Sequence, residues 1–431
     1  METEVGKPKS LLRFGCFPMI VSSFLSFALL SFSLPAYAEE AESENVCISC
    51  HLEMEDVLKQ VVDDWKLSVH AEGGVECQDC HGGDPTDFGE AMEPAKGFVG
   101  KPEIKDIPKF CSKCHSDPLK MRPYNLPYDQ FEKYSDSVHG EKLAAGNENV
   151  PTCMNCHGGT HAIKRVADPE SAVNRKNIVR TCASCHSNAS QMADSKLPIN
   201  QYDLYKVSTH GMRYFEGDMG VPSCTDCHSN HRIRKPQEMS VKLVCMNCHI
   251  SQEETYKMSL HWDAAQQNGV PTCIDCHSNH DVMKPTIAKF VDEGKGNCVT
   301  CHAKNSLQME TGTALHKLLK DTEDNLNKGN DAVKRINEWS GSGFETSHLT
   351  NKMKKVNSML KEMVVASHSM DVDPLNEKAN SAENLTKEVM EEVDARTHEL
   401  SRRKYGLVAS WLVFLAFSWS LVKRSRHCKR D

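Results

Sequence analysis

Nine times the chain carries Cys-x-x-Cys-His: Cys47, Cys50 and His51; Cys77, Cys80 and His81; Cys111, Cys114 and His115; Cys153, Cys156 and His157; Cys182, Cys185 and His186; Cys224, Cys227 and His228; Cys245, Cys248 and His249; Cys273, Cys276 and His277; Cys298, Cys301 and His302. Two thiols at this spacing form thioethers to the vinyl groups of one porphyrin, and the adjacent imidazole falls beneath the iron as its proximal ligand. Eighteen of the twenty cysteines are used in this way. Only Cys16 and Cys428 remain, in end segments, so no thiol is left for a structural disulfide. Paired zinc knuckles or a disulfide framework would leave the histidine after every second cysteine unexplained. Nine covalently attached haems c are therefore expected.

The sixth position on each iron needs a further ligand, and a repeat indicates where to look. Four segments open with an aromatic residue followed by Ser-x-His: WKLSVH from Trp65, YSDSVH from Tyr134, YKVSTH from Tyr205 and YKMSLH from Tyr256. Each is followed by two CxxCH motifs, which gives four two-haem modules behind the leading motif at Cys47. The Ser-x-His slots supply His70, His139, His210 and His261. Shortly after the first CxxCH of modules two, three and four stand His161, His231 and His280, whereas module one has Asp84 in that slot. A histidine so near a proximal ligand cannot reach the opposite face of the same iron, so these residues are expected to ligate a neighbouring haem. His316, in the sequence TALH, falls where a fifth slot would begin. The last ligand must come from His348, His368 or His398, or from nothing. His368 is expected, because it continues the apolar stripe Leu349, Met353, Val356, Leu360 and Val364 at helical spacing. His398 falls off the stripe of Leu385, Val389, Val393 and Leu400.

The elements that hold these residues follow from composition. Between the motifs, short loops rich in Gly, Pro, Asn and Asp leave little room for extended secondary structure. About one haem per forty residues prevents a conventional core, so the porphyrins must serve as the buried apolar mass. From about residue 305 the chain turns helical, with breaks at Ser340-Gly341-Ser342-Gly343 and at Asp371-Val372-Asp373-Pro374, which predicts three helices. Met353, Met359 and Met363 read as gap-filling core residues rather than iron ligands. Residues 1–38 have the basic front, apolar core and Ala36-Tyr37-Ala38 exit of a signal peptide. Residues 405–422 carry no charge and are long enough for one transmembrane helix. The more basic tail, 423–431, is placed in the cytoplasm. The expected organisation is signal peptide 1–38, nonahaem domain 39–304, helical region 305–404, membrane helix 405–422 and tail 423–431. The fold class is mostly α and coil, a haem array with C-terminal helices and a single C-terminal transmembrane helix. The formal charge is −8, and removing the +1 of residues 1–38 and the +4 of residues 423–431 leaves about −13 on the exported part. An acidic surface argues against nucleic acid and favours basic protein partners.

The Tyr-x-x-Ser-x-His-Gly and Val-Pro-x-Cys-x-x-Cys-His stretches of residues 134–157 and 205–228 resemble those of the multihaem c-type cytochromes of bacterial and archaeal respiration, including the hydroxylamine oxidoreductase-like and octahaem reductase branches. The resemblance covers about residues 45–316 and implies bis-histidine ligation. It departs from the quinol dehydrogenases that are anchored at their N-terminus, and no motif is the CxxCK of pentahaem nitrite reductases. Iron held by two histidines has no free position for substrate and suits electron relay. The expected function is a periplasmic cytochrome on the cytoplasmic membrane, carrying electrons between a quinone-linked membrane oxidoreductase and periplasmic or outer-membrane redox proteins. The alternative is an oxidoreductase of small nitrogen or sulfur compounds with one open haem.

Overall fold

The computed structural model describes residues 45–427 apart from 55–56, 235–237, 239–242, 295 and 340–344, and the side chains of 424–427 are not described. The expected signal peptide, Cys16, Cys428 and the Ser340–Gly343 break lie outside the described residues. The described residues form helices and irregular segments, with no strand among them.

Residues 45–304 fold into short helices. Each first CxxCH of a module is itself one five-residue helix: Cys77–His81, Cys153–His157, Cys224–His228 and Cys273–His277. So short a helix has almost no internal hydrogen bonding, and its end groups need partners from side chains. All four carry the same capping box, in which the residue before the first cysteine and the residue before the second bond each other's backbone. The pairs are Glu76 with Asp79, Thr152 with Asn155, Ser223 with Asp226, and Thr272 with Asp275. The residue after each helix takes positive φ: Gly82 at 69°, Gly158 at 93°, Ser229 at 69° and Ser278 at 65°. The chain therefore turns away sharply behind each of these motif histidines.

Apolar packing here is sparse. A small cluster gathers Ile178, Val179, Tyr214 and Val221, tied by Arg175, which donates to the Met219 carbonyl at 2.6 Å and the Val221 carbonyl at 2.7 Å.

Beyond residue 305 three long helices pack together: Leu307–Trp339, Ser347–Ala366 and Asp373–His427. One core joins Leu326, Val333 and Ile336 of the first to Leu349, Met353 and Val356 of the second and Val389 and Val393 of the third. A second core joins Leu315, Leu319, Met363 and Leu375. Gly329 makes room for Met353, whose thioether would lie 2.6 Å from a Cβ there. The stripe on the second helix differs from its expected course at the end. Met363 is fully buried while Val364 is 37% exposed, and the α-helix ends at Ala366. His368 therefore sits in the 3-10 turn Ser367–Ser369, after which Met370 takes φ 58° and the third helix begins. That third helix runs without a break into the apolar segment. The helix is long enough to cross a membrane and contains an 18-residue apolar stretch with a mean hydropathy of 1.7, none of it buried.

Candidate functional site

The four Ser-x-His slots are built alike. Ser68, Ser137, Ser208 and Ser259 are buried N-caps, each accepting a hydrogen bond from the backbone three residues on. The histidine stands two residues after the cap, in the first turn of the helix, held by the strongest local signal for helix initiation. The preceding aromatic residue ties this helix to the next CxxCH. Trp65 donates its indole N–H to the Val75 carbonyl at 2.9 Å. Tyr134, Tyr205 and Tyr256 donate their hydroxyls to the carbonyls of Pro151, Pro222 and Pro271 at 2.9, 2.8 and 2.5 Å. Burial pushes the Tyr256 phenol up to about 12, so it stays a donor. Gly140 and Gly211, next after the histidine, are required by space: a Cβ would meet the carbonyls of Tyr134 and Tyr205 at 2.1 and 1.8 Å.

Each Ser-x-His imidazole faces the second CxxCH histidine of its own module. Ring centroids are 6.1 Å apart for His70 and His115, 6.2 Å for His139 and His186, 6.3 Å for His210 and His249, and 6.0 Å for His261 and His302. A second series crosses between modules. His161 faces His81 at 6.4 Å, His231 faces His157 at 6.2 Å, and His280 faces His228 at 5.9 Å. His368, from the C-terminal helices, faces His277 at 6.1 Å. The two series differ in tilt, with rings inclined by 30–61° in the first and by 13–27° in the second.

With metal–nitrogen bonds of about 2 Å, one metal between two imidazoles sets the ring centroids about 6 Å apart. Every pair has that spacing, and none is close enough for the rings to touch. Burial, and then the facing imidazole, lowers the pKa of His70, His157, His161, His210, His228 and His261. The same causes bring His139 and His277 down to about 4. Neutral imidazole is the form that ligates a metal. Among the described residues no group of three or more His, Cys, Asp or Glu side chains converges on one point. Two opposed nitrogens with a cysteine pair on the same turn fit a planar porphyrin iron, whose other four ligands come from the macrocycle. Leu67, Val207, Met258 and Leu260, flanking the serine caps, are 55–85% exposed, which is apolar surface that a porphyrin could cover.

His316 stands apart from this arrangement. No imidazole faces it among the described residues, and it lies inside the Leu307–Trp339 helix rather than behind a cap. Ala314 stands at the place of the cap, and Thr313 beside it bonds back to Met309 within that helix. TALH lacks the Ser-x-His cap that starts the other four. His348 bonds Glu392 at 2.7 Å, and His398 lies on the third helix. His51 likewise faces no second imidazole among the described residues.

Neighbouring motifs meet in chain order. Cys47 interacts with Cys77, and Cys80 with Cys111 and Cys114. The thiols of Cys111 and Cys153, of Cys182 and Cys224, and of Cys245 and Cys273 lie beside one another. Cys156 interacts with Cys185, Cys227 with Cys245, and Cys276 with Cys298. These three thiol pairs all fall where one module meets the next. The capping boxes were not anticipated from the sequence, although Ser, Thr or Glu before the first cysteine and Asp or Asn before the second recur in all four first motifs.

No family model and no solved structure matches the chain. A curated protein described as a C-type polyheme cytochrome, OmcC, from Geobacter sulfurreducens is 23% identical over 168 residues, covering 34% of this chain. The chain spans 20% of the length of that relative. The similarity supports a multihaem c-type cytochrome.

Proposed function

We propose that this chain is a membrane-tethered nonahaem c-type cytochrome that relays electrons between a quinone-linked membrane partner and periplasmic or outer-membrane redox proteins. The observation that carries the reading is the order of the eight imidazole pairs, seven joining one CxxCH histidine to one histidine from a fixed place in the repeat and the eighth joining His277 to His368 of the C-terminal helices. Bound haem supplies an iron that gains and loses one electron with little change in shape when both axial ligands are histidines. The chain's residues do the rest. The cysteine pairs would attach the group, the caps fix the angle of each imidazole, and contacts between successive motifs keep neighbouring centres close. A row ordered from Cys47 to Cys298 offers one continuous route. Its last motif lies against the first long helix, where a Cβ on Gly312 would stand 3.6 Å from the Cys298 thiol. The third long helix carries the exposed apolar segment 405–422, which supports a membrane anchor at that end of the row. The acidic balance of the exported part favours basic redox partners.

An oxidoreductase of small nitrogen or sulfur compounds is the second reading, and the lone His51 favours it. Electron paramagnetic resonance of the oxidised protein tests the relay. Low-spin iron should dominate, in two families that follow the two ranges of imidazole tilt. His368→Ala should turn one of the centres high-spin. A mostly high-spin spectrum in the unaltered protein would sink the relay reading.

A further inference from the structure

The histidines at the module junctions obey one rule: each follows the first CxxCH of its own module and faces the first CxxCH of the module before. A backbone hydrogen bond accompanies every such crossing. Val69 N–H donates to the Ile163 carbonyl at 2.7 Å, Val138 to Ile233 at 3.0 Å, and Thr209 to Val282 at 2.8 Å. In each case the acceptor lies two residues beyond the crossing histidine, His161, His231 or His280. The bond occurs once more at the start of the row, where Val46 N–H donates to the Pro85 carbonyl at 2.9 Å. Asn45, the cap of the helix that carries His51, donates its amide to Glu76 at 3.1 Å and Gln78 at 2.8 Å, reinforcing this junction. The segment docked there reads Gly83, Asp84, Pro85, so the place that elsewhere holds the crossing histidine holds none.

Asp84 does not substitute for it. Its carboxylate is turned into its own loop, accepting from the Thr86 N–H at 3.0 Å and hydroxyl at 2.7 Å, and pairing with Lys96 at 3.4 Å. The four histidines outside the motifs and the pairs, His316, His348, His398 and His427, all belong to the three long helices. Residues 1–44 contain no histidine.

We propose that the Cys47–Cys50–His51 centre, and no other in the chain, keeps an open coordination position for a small uncharged lone-pair donor. This rests on the haem reading above. Charge favours a neutral ligand over an anion: Glu76 and Asp84 border the docked segment, and Lys96 is already shared between Asp84 and Glu90, the latter at 2.5 Å. Position favours it too. Cys47 begins the order of neighbouring motifs, so a ligand here occupies the end of the row and leaves the eight paired centres to conduct.

The test uses the full-length haem-loaded protein. A pyridine haemochrome count against protein comes first, and nine haems per chain are expected. The dithionite-reduced protein is then titrated with carbon monoxide, followed by its shift of the Soret band. One carbon monoxide per chain is expected, and the double variant Cys47→Ala, Cys50→Ala should retain eight haems and bind none. No binding by the unaltered protein, more than one carbon monoxide per chain, or binding retained by the double variant would each overturn the proposal while leaving the relay reading standing. A chain without covalent haem would overturn the relay reading itself.

Discussion

Residues 45–304 bury nine apolar side chains among the described residues, whereas residues 305–404, well under half as long, bury fifteen. The first region is held by caps, tight turns and side-chain-to-carbonyl bonds around its CxxCH helices. The second is held by interdigitated Leu, Val, Ile and Met on three long helices. The contrast shows how the two parts of one chain meet the requirement for buried apolar surface. The helices meet it with their own side chains, while the motif region has spacing for a large apolar group at each histidine pair and little else to bury. Local hydrogen bonds orient residues well, but each contributes only about 1 kcal/mol net, too little to replace a core.

The largest effect should come from withholding haem. Produced in cells that cannot attach it, the chain should lose ordered structure over residues 45–304 while the three long helices persist. Limited proteolysis followed by mass spectrometry reads this directly, with a resistant fragment beginning near residue 305. A resistant fragment spanning both regions would break the comparison, because it would mean that the motif region folds on its own contacts. Substitution in the helical core comes next. Leu349 is fully buried, and Leu349→Ala should lower the stability of the helical part by about 2–5 kcal/mol. Thermal unfolding followed by circular dichroism should show that loss, with the Soret band of the motif region nearly unchanged.

Smaller again is the loss of one cap. Ser208 accepts from Gly211 N–H at 2.9 Å and donates its hydroxyl to the Tyr205 carbonyl at 2.7 Å. Ser208→Ala should cost about 1 kcal/mol. It should also broaden the low-spin signal of the His210–His249 centre, since the cap sets the first turn on which His210 stands. Spectra identical to those of the unaltered protein would mean that the cap stabilises the helix without orienting the ring.

The two regions were unequally legible in the sequence. Helical periodicity marked the cores of the second and third long helices, since Leu349, Met353, Val356, Val389 and Val393 are all buried. It erred in ending the second helix's stripe at Val364, which is 37% exposed, because the buried face steps three residues from Leu360 to Met363, a residue the sequence also marked for the core. Fixed spacing made the cysteine–histidine motifs readable, and the Ser-x-His repeat located four facing histidines before any geometry was known. TALH misled because the slot is defined by a cap that starts a helix, while His316 lies inside one. Which imidazole faces which depends on tertiary crossings such as Val138 to Ile233, and no local pattern encodes their partners. The capping boxes were present in the sequence as a local pattern, hidden because their residues lie before and between the cysteines.

The smallest expected change in stability belongs to Asp84→His, yet it sharpens the comparison most within the motif region. Asp84 is partly exposed, and its pairing with Lys96 is a surface contact, of the kind that solvent screens and that contributes little to stability. Unfolding should therefore move little. The segment from Gly83 to Pro85 is already docked on the leading helix by the bond from Val46 to Pro85, so a histidine at position 84 starts one residue along from the place, two before the bonded carbonyl, that His161, His231 and His280 take at the other junctions. The high-spin signal expected of an open leading centre should fall, a low-spin signal should replace it, and carbon monoxide binding to the reduced protein should be lost. If the high-spin signal survives unchanged, the crossing at Val46 differs from the other three in where it directs its side chains, and the motif region has one junction of its own kind rather than four alike.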